Sequence, residues 1–275
     1  MGIKKHIPNA ITCCNLLCGC VAIILALGGH FDATLFFVLF AAIFDFLDGL
    51  AARALKAYSP MGKDLDSLSD MVSFGVAPAV LGYSYSFKFF SDSIDLRVLG
   101  GYVFLEAAVC LVPLFIAVFS ALRLAKFNND NRQTENFIGL ATPACAILYI
   151  SLICCLAGEH HIWYDNLVGL AKDMGLGVSS VESSQPWYFY FPLFVVPVLC
   201  WLLVSEIPMF SMKFKNLSWP DNRDRYIFLM IVVVEIVMAV VGGYSFPALL
   251  VAIITTYIII NLLMLAFRKK PKLKE

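Results

Sequence analysis

The chain has 275 residues, of which 60% are hydrophobic and only 15% are charged, and its mean hydropathy is +0.82. This composition excludes an ordinary water-soluble domain. The 20 basic and 20 acidic residues give a formal net charge of zero, so no basic excess suggests nucleic acid as a partner. These values predict an integral membrane protein.

Apolar stretches close to the ~20 residues that a spanning helix needs occur about eight times along the chain. They lie at roughly 10–29, 31–57, 67–86, 99–122, 137–157, 188–205, 226–242 and 246–267. No internal repeat is visible, and no polar stretch is long enough to fold alone. We therefore predict an all-α fold, a polytopic transmembrane helical bundle of about eight spans, with residues 1–275 forming one domain.

The first apolar stretch could also be interpreted as a cleavable signal, because lysines precede it and small residues follow at 26–28. Its apolar run is longer than a usual signal core. Asn9, Thr12 and Asn15 also recur along it at helical spacing. We predict a retained span.

Nine cysteines fall inside the apolar stretches. They form no CxxC pair, and no histidines stand near them at the spacing of a zinc site. We predict that they are small packing residues rather than redox or metal ligands.

The basic residues are distributed unevenly between alternate connections. If the amino terminus lies inside, only Lys88, Arg97 and Lys172 fall on the outer side, which leaves 20 − 3 = 17 on the inner side. The longest outer connection runs from about 158 to 187. Because cytoplasmic connections collect lysine and arginine, we predict that both termini face the cytoplasm.

Four aspartates stand near the predicted inner surface, at the end of the second span and the beginning of the third. Asp45 and Asp48 are three residues apart, and Asp66 and Asp70 are four apart, so each pair shares one helix face. The connection at 54–63 contains serine, proline and glycine, which form turns. We expect two antiparallel neighbouring helices that present both pairs at one depth.

Unpaired carboxylates at the edge of the hydrocarbon would repel one another and lose hydration. Oxygen ligands without histidine or thiolate favour a hard divalent cation, Mg²⁺ or Mn²⁺, with Ca²⁺ possible in principle, and two ions would neutralise the set. The alternative is that the aspartates pair with Arg53 and Lys63 and cap helix ends.

Small residues follow the second aspartate. Gly49 and Ala52 leave the helix surface open to a flat group or a phosphate. Arg53, one turn beyond Gly49, carries a planar fork suited to phosphate oxygens.

The whole pattern, D-x-x-D-G-x-x-A-R, eight residues, then G-x-x-x-D-x-x-x-D, resembles the signature of the CDP-alcohol phosphotransferase family. Every signature position is filled, by Asp45, Asp48, Gly49, Ala52, Arg53, Gly62, Asp66 and Asp70. The signature covers only about a tenth of the chain.

Flanking stretches are similar to the bacterial phosphatidylserine synthases of this family: "IPNAITCCNLLCG", "DSLSDMVSFGVAPA", "ALRLAKFN", "FIGLATPA" and "LLVSEIPMFSMKFK". They extend the resemblance over about 7–215, the predicted core, and leave 226–267 as additional spans. Lys126 stands where an arginine is common, and Ala141 where a proline is expected. Neither departure touches an aspartate.

The resemblance implies transfer of a phosphatidyl group from CDP-diacylglycerol to L-serine with release of CMP, in the cytoplasmic (inner) membrane, by a homodimer whose active site faces the cytoplasm. By the same analogy, the metal ligands are Asp45, Asp48, Asp66 and Asp70. The CDP pocket is formed by Asp48, Gly49, Ala52, Arg53, Gly62 and Asp66. Asn9 and Thr12 are assigned to the lipid-side phosphate.

Asp70 is also the candidate base for the serine hydroxyl, whose proton must be accepted as it attacks. Asp70 cannot be a tight ligand and a free base at once, and the sequence leaves this choice open. Arg123, Lys126 and Asn128, at the end of the fourth span, are candidates for binding serine. Arg123 and Lys126 could instead be ordinary positive-inside anchors.

Two other functions are compatible with the aspartates. The same chemistry with glycerol 3-phosphate or an inositol phosphate as acceptor would require a second cluster of bases for the acceptor's phosphate. A cation transporter would require an ionisable path across the bilayer. Glu106 and Glu235 are the main ionisable residues of the remaining spans.

Overall fold

A computed structural model describes residues 6–93, 102–129, 137–173, 186–211 and 218–267. The amino-terminal part contains α1 (His6–Leu27), α2 (Phe31–Ala54), α3 (Pro60–Asp70), a π-helix (Met71–Val76), α4 (Ala77–Ser93), α5 (Tyr102–Leu111), a 3₁₀ turn (Val112–Leu114) and α6 (Phe115–Asn129). The rest contains β1 (Phe137–Ile138), α7 (Thr142–Asp173), α8 (Pro186–Val204), β2 (Pro208–Met209), α9 (Trp219–Gly242) and α10 (Phe246–Phe267).

This architecture confirms the all-α membrane fold. Five helical stretches are long and apolar enough to cross a bilayer: His6–Leu27, Phe31–Ala54, Ala107–Asn129, Asn222–Gly242 and Phe246–Ala266. Val240 and Val241 of α9 are 78% and 81% exposed, as expected for side chains that contact lipid rather than a protein core. The chain is therefore a multi-pass membrane protein, and the total of eight spans stays a prediction.

Two boundaries differ from the sequence prediction. The span predicted from residue 137 begins as a helix only at Thr142, because 137–138 pair as a strand with 208–209. The outer connection predicted from about residue 158 is wrong at its start, since α7 continues as a helix to Asp173. Apolarity ends before the helix does, and backbone hydrogen bonds continue into the polar region. Residues 174–185 lie outside the described part.

The predicted turn between the aspartate pairs is present. Ser59 caps α3, and its side-chain oxygen accepts a hydrogen bond from the Gly62 N–H at 2.9 Å. Pro60 occupies the first turn, where its missing N–H carries no cost. From there α3, the π-helix and α4 continue as one helical rod, so the third predicted span is the middle of a longer element.

α1 is the helix against which the site is built. It packs along α2 and also against α3, the π-helix and α4, whereas α2 and α3 make little direct backbone contact. Gly19 permits this packing, because a Cβ there would lie 2.8 Å from Ser73 Cα. The expected antiparallel pair is thus two helices that share α1 and leave a space between them.

The buried core lies further along the same helices. Its largest fully buried side chains include Phe74, Tyr85 and Tyr149. All nine cysteines are free, four of them buried, which agrees with a packing role for those four.

Gly19→Ala should lower stability by about 1–3 kcal/mol, because the added methyl overpacks the contact between α1 and the π-helix. Thermal unfolding of the detergent-solubilised protein measures the effect. Gly158→Ala is the matched control, since a Cβ at this helical glycine of α7 meets nothing within 4 Å. Equal melting temperatures for both variants would contradict the close packing at Gly19.

Candidate metal and nucleotide site

Three carboxylates from two helices converge at one point. Asp45 and Asp48 of α2 and Asp66 of α3 each offer an oxygen, and these oxygens all lie within 4.8 Å of one another. Asp48 is only 6% exposed, and Asp45 and Asp66 are half-buried. The helical spacing that places each pair on one face therefore also brings residues of both pairs together.

α1 supplies polar groups to this cluster from an otherwise apolar helix. Thr12 Oγ1 donates to Asp48 Oδ2 at 2.5 Å, and Asn15 Nδ2 donates to Asp70 Oδ1 at 3.1 Å. Both Thr12 and Asn15 are buried. Each of them thus contacts a carboxylate on a different neighbouring helix.

Two serines on the rod set the register of α1 against it. Ser69 Oγ donates to the Thr12 carbonyl at 3.2 Å, and Ser73 Oγ donates to the Asn15 carbonyl at 3.0 Å. Both serines are fully buried. These bonds place the side chains of Thr12 and Asn15 at the depth of the aspartates.

Asp70 differs from the other three aspartates. It lies next to the cluster but is not one of the three whose oxygens meet within 4.8 Å. The π-helix begins at the following residue, Met71, and π-bulges occur frequently at functional sites. The sequence pattern did not predict this irregularity.

The cluster fits a hard divalent cation. Among the described residues, no lysine or arginine forms an ion pair with any of the four aspartates, so the alternative of simple charge pairing has no support. Asp66 Oδ1 is buried and has no hydrogen-bond partner. Burial and, secondarily, the charge of Asp48 raise the pKa of Asp66, which precedes the apolar stretch of its helix, to about 6. A bound cation would relieve this repulsion.

A cavity of about 490 Å³ opens beside the cluster, between the α2 and α3 ends. Seven predicted site residues line it, namely Asn9, Thr12, Asp48, Gly49, Ala52, Gly62 and Asp66. A Cβ on Gly49 would meet nothing within 4 Å, so the glycine borders open space rather than a packed neighbour. The volume of the cavity and the absence of a side chain at Gly49 suit a nucleoside diphosphate.

Two features of this cavity differ from the prediction. Arg53 is exposed and is not among the lining residues. Tyr58, Ser59 and Lys63 line the cavity although the sequence assigned them no binding role. Their position in the connection between the aspartate pairs was the available signal.

The three residues predicted to bind serine lie on α6, outside this cavity. Arg123 is buried, donates from Nε to the Leu140 carbonyl at 2.6 Å and stacks over the Phe127 ring at 5.5 Å. Lys126 pairs with Glu206 at 3.3 Å. Asn128 Nδ2 donates to Ser67 Oγ at 2.8 Å.

Contacts between α6 and the rod place Arg123 at the depth of Asp70. Asn128 bonds Ser67, and a Cβ on Gly75 would lie 3.2 Å from Ser120 Cβ, so the two elements run antiparallel. Arg123, which lies five residues before Asn128 on α6, is therefore level with residue 72, which lies five residues after Ser67 on the rod. Arg123 and Asp70 consequently lie within about 3 Å of each other along the helix axis.

Comparison with known proteins agrees with the sequence resemblance. The profile of the CDP-alcohol phosphatidyltransferase family matches residues 5–173, more than half of the chain. A CDP-diacylglycerol--serine O-phosphatidyltransferase of Bacillus subtilis is 35% identical over 54% of this chain and 75% of its own length. The enzyme of the same name from Helicobacter pylori J99 is 29% identical over 82% of this chain and 93% of its own. An archaetidylserine synthase of Methanothermobacter thermautotrophicus is 34% identical over 51% and 54%.

Asp66→Asn should weaken Mn²⁺ binding by more than the ~10-fold typical of losing an outer-shell partner, because one oxygen of the cluster loses its charge. Electron paramagnetic resonance of free Mn²⁺ titrated with purified protein measures the affinity without turnover. Asp64→Asn, an exposed carboxylate two residues earlier on α3, is the matched control. Equal affinities of the two variants would contradict a metal at the cluster.

Proposed function

This chain belongs to the CDP-alcohol phosphatidyltransferase family, and from that premise we propose that it is a phosphatidylserine synthase. It transfers the phosphatidyl group of CDP-diacylglycerol to the hydroxyl of L-serine and releases CMP. The observation that carries the proposal is the convergence of the α2 and α3 carboxylates beside a cavity of nucleotide size.

The donor is bound from the cavity side. The cytidine diphosphate lies along Gly49 and Ala52, where small residues allow close approach, and Lys63 supplies positive charge at the rim. Asn9 and Thr12 also line the cavity, and we assign them to the lipid-side phosphate. The acyl chains remain in the lipid beside the helices.

Asp45, Asp48 and Asp66 would hold the divalent cation. When bound, the cation neutralises the pyrophosphate and stabilises the leaving phosphate of CMP. Thr12 donates a hydrogen bond to Asp48 Oδ2, which limits the rotation of this carboxylate and would orient it as a ligand. We propose Mg²⁺ or Mn²⁺, with two ions as the expected number.

Asp70 accepts the proton of the serine hydroxyl. As the serine oxygen forms its bond to the phosphatidyl phosphorus, the bond from that phosphorus to the bridging oxygen of CMP breaks, and the proton passes to an Asp70 oxygen. Asn15 holds the other Asp70 oxygen, which limits rotation of the carboxyl group. The position of Asp70 outside the three-oxygen group favours the base over the ligand role.

Arg123 is the group that we assign to the serine carboxylate. It lies at the depth of Asp70 on the facing helix, it is buried, and no carboxylate of the described residues pairs with it. A buried guanidinium held by one carbonyl and one aromatic ring retains donors for an anionic ligand. Lys126 pairs with Glu206, and Asn128 donates to Ser67. We therefore assign these two residues a supporting role in the serine site rather than the main contact to serine.

The alternatives have less support. An acceptor with its own phosphate would require a further cluster of bases, and among the described residues Lys63 is the only lysine or arginine that lines the cavity. The two bacterial relatives reported above carry serine transfer in their names. A transporter would require a path of ionisable groups across the bilayer. Glu235 of α9 is an ionisable residue of the described spans, and its carboxylate is already bound by the Thr256 hydroxyl of α10 at 2.5 Å.

The setting follows from the charge distribution and the resemblance. We place the enzyme in the inner membrane with its active site toward the cytoplasm, because 17 of the 20 basic residues fall on that side of the predicted spans. We also propose a homodimer, which the family resemblance alone supports.

Purified protein should release CMP from CDP-diacylglycerol only when L-serine and Mn²⁺ or Mg²⁺ are both present. A panel of serine, glycerol 3-phosphate and inositol phosphate, with product identified by mass spectrometry, measures acceptor choice. EDTA should abolish release and added metal should restore it. Faster release with a phosphorylated acceptor, or full turnover in EDTA, would refute the assignment.

Asp70→Asn should lower kcat on the order of 10²–10⁴-fold while largely preserving donor and metal affinity, because the amide cannot take a proton. Asp45→Asn should weaken metal and donor binding together. Turnover measured across a Mn²⁺ titration separates the two effects. If excess Mn²⁺ rescues Asp70→Asn as fully as Asp45→Asn, then Asp70 is a ligand.

Arg123→Ala should raise KM for serine more than KM for CDP-diacylglycerol, as expected when a ground-state contact to one substrate is lost. Steady-state kinetics with each substrate varied in turn gives both constants. Equal losses for both substrates would instead assign Arg123 to the structure of the bundle.

A further inference from the structure

A short segment crosses the cytoplasm-proximal end of α6. We define it as the 205–211 segment, which follows α8 and contains β2. β2 pairs with β1, and the Gly139 N–H donates to the Ile207 carbonyl at 2.9 Å. Gly139 has a φ of 76°, and a Cβ there would lie 2.7 Å from the Leu203 carbonyl oxygen, so the approach needs glycine.

The pairing of β1 with β2 fixes the position of the backbone carbonyl that binds Arg123. Leu140 follows the strand, its N–H donates to the Leu202 carbonyl at 2.9 Å, and its own carbonyl accepts from Arg123 Nε. Lys126 donates to the Val204 carbonyl at 3.4 Å and pairs with Glu206. Both predicted serine-binding bases are thus linked to the segment. Lys126 pairs with Glu206 of the segment. Arg123 donates to the carbonyl of Leu140, which follows Gly139, the residue whose N–H binds Ile207 of the segment.

The segment is in turn fastened by α10, which lies outside the family match at 5–173. Asn261 Oδ1 accepts from the Phe210 N–H at 2.9 Å, and Tyr257 OH donates to the Phe210 carbonyl at 2.9 Å. Asn261 Nδ2 donates to the Tyr257 carbonyl at 2.7 Å, which orients the amide. Both polar groups of one backbone residue are therefore bound by side chains of one helix.

α9 adds a second attachment. Arg225 Nε donates to the Ser211 carbonyl at 2.7 Å, and its Nη1 donates to Asn222 Oδ1 at 2.8 Å. Asn222 is buried. Three side chains of the last two helices, Asn261, Tyr257 and Arg225, thus bind two consecutive residues of the segment.

From this geometry we propose that Asn261 and Tyr257 are positioning residues for the acceptor site, which act through the 205–211 segment on Arg123 and Lys126. The inference rests on the proposed function, in which Arg123 binds the serine carboxylate. A helix pair that only anchored the chain in lipid would need no polar contacts to a cytoplasm-proximal segment, because apolar side chains suffice for anchoring. Buried side-chain bonds to a backbone residue specify one position instead.

Tyr257→Phe is the mildest test. It removes the hydroxyl that bonds the Phe210 carbonyl but keeps the ring, which packs edge-to-face on Phe210 at 5.1 Å and Phe228 at 5.8 Å. Asn261→Leu removes the second bond with a side chain of similar size. Each variant should raise KM for serine about two- to tenfold, the range for one lost hydrogen bond, with KM for CDP-diacylglycerol unchanged.

Two control variants match these changes. Tyr244→Phe makes the same substitution at an exposed tyrosine between α9 and α10. Thr256→Val removes a partly buried hydrogen bond between α9 and α10 that does not involve the 205–211 segment. Both controls should leave KM for serine and KM for CDP-diacylglycerol at their original values.

The outcomes separate cleanly. A rise in serine KM for both test variants and neither control supports the inference. Unchanged serine KM in Tyr257→Phe and Asn261→Leu, an equal rise for both substrates, or an equal effect of Thr256→Val would overturn it. Failure of the proposed function would appear in the unaltered protein, as CMP release that does not depend on serine, and would not be confused with these results.

Discussion

The mutual repulsion of carboxylates at the edge of a membrane is the constraint on which this structure depends. Asp45, Asp48 and Asp66 place oxygens within 4.8 Å of one another in a partly buried position. Such a group is unfavourable unless a cation is shared among them. α1 contacts both α2 and α3, so the carboxylates meet where these two helices share a neighbour.

α1 is the helix that positions these carboxylates. Its apolar surface packs against α2 and against the rod. Thr12 and Asn15 form hydrogen bonds to carboxylates on these two elements. The serines at 69 and 73 return hydrogen bonds to the α1 backbone. Because a one-residue slip would lose all four bonds, the register of α1 is set by the same contacts that orient the aspartates.

In the proposed mechanism, the two substrates approach the aspartates from different sides. The cavity beside Gly49 lies between the ends of α2 and α3, whereas Arg123 and the 205–211 segment lie across the rod, on α6 and beyond. Asp70 is the last residue of α3 and directly precedes the π-helix. The proposal therefore assigns the donor, with its acyl chains in lipid, and the acceptor, which arrives from water, to separate parts of the site.

The sequence by itself determined the membrane class, the helical periods and the spacing that puts two carboxylates on each helix face, because these depend on local apolarity and the 3.6-residue turn. It also marked the cavity wall through the small residue at Gly49. Only the tertiary structure decided that Asp70 stands apart from the other three, that Arg53 is exposed and does not line the cavity, and that α10 reaches Phe210. These features arise from contacts between residues far apart in the chain, and no local pattern specifies which distant helix will meet which.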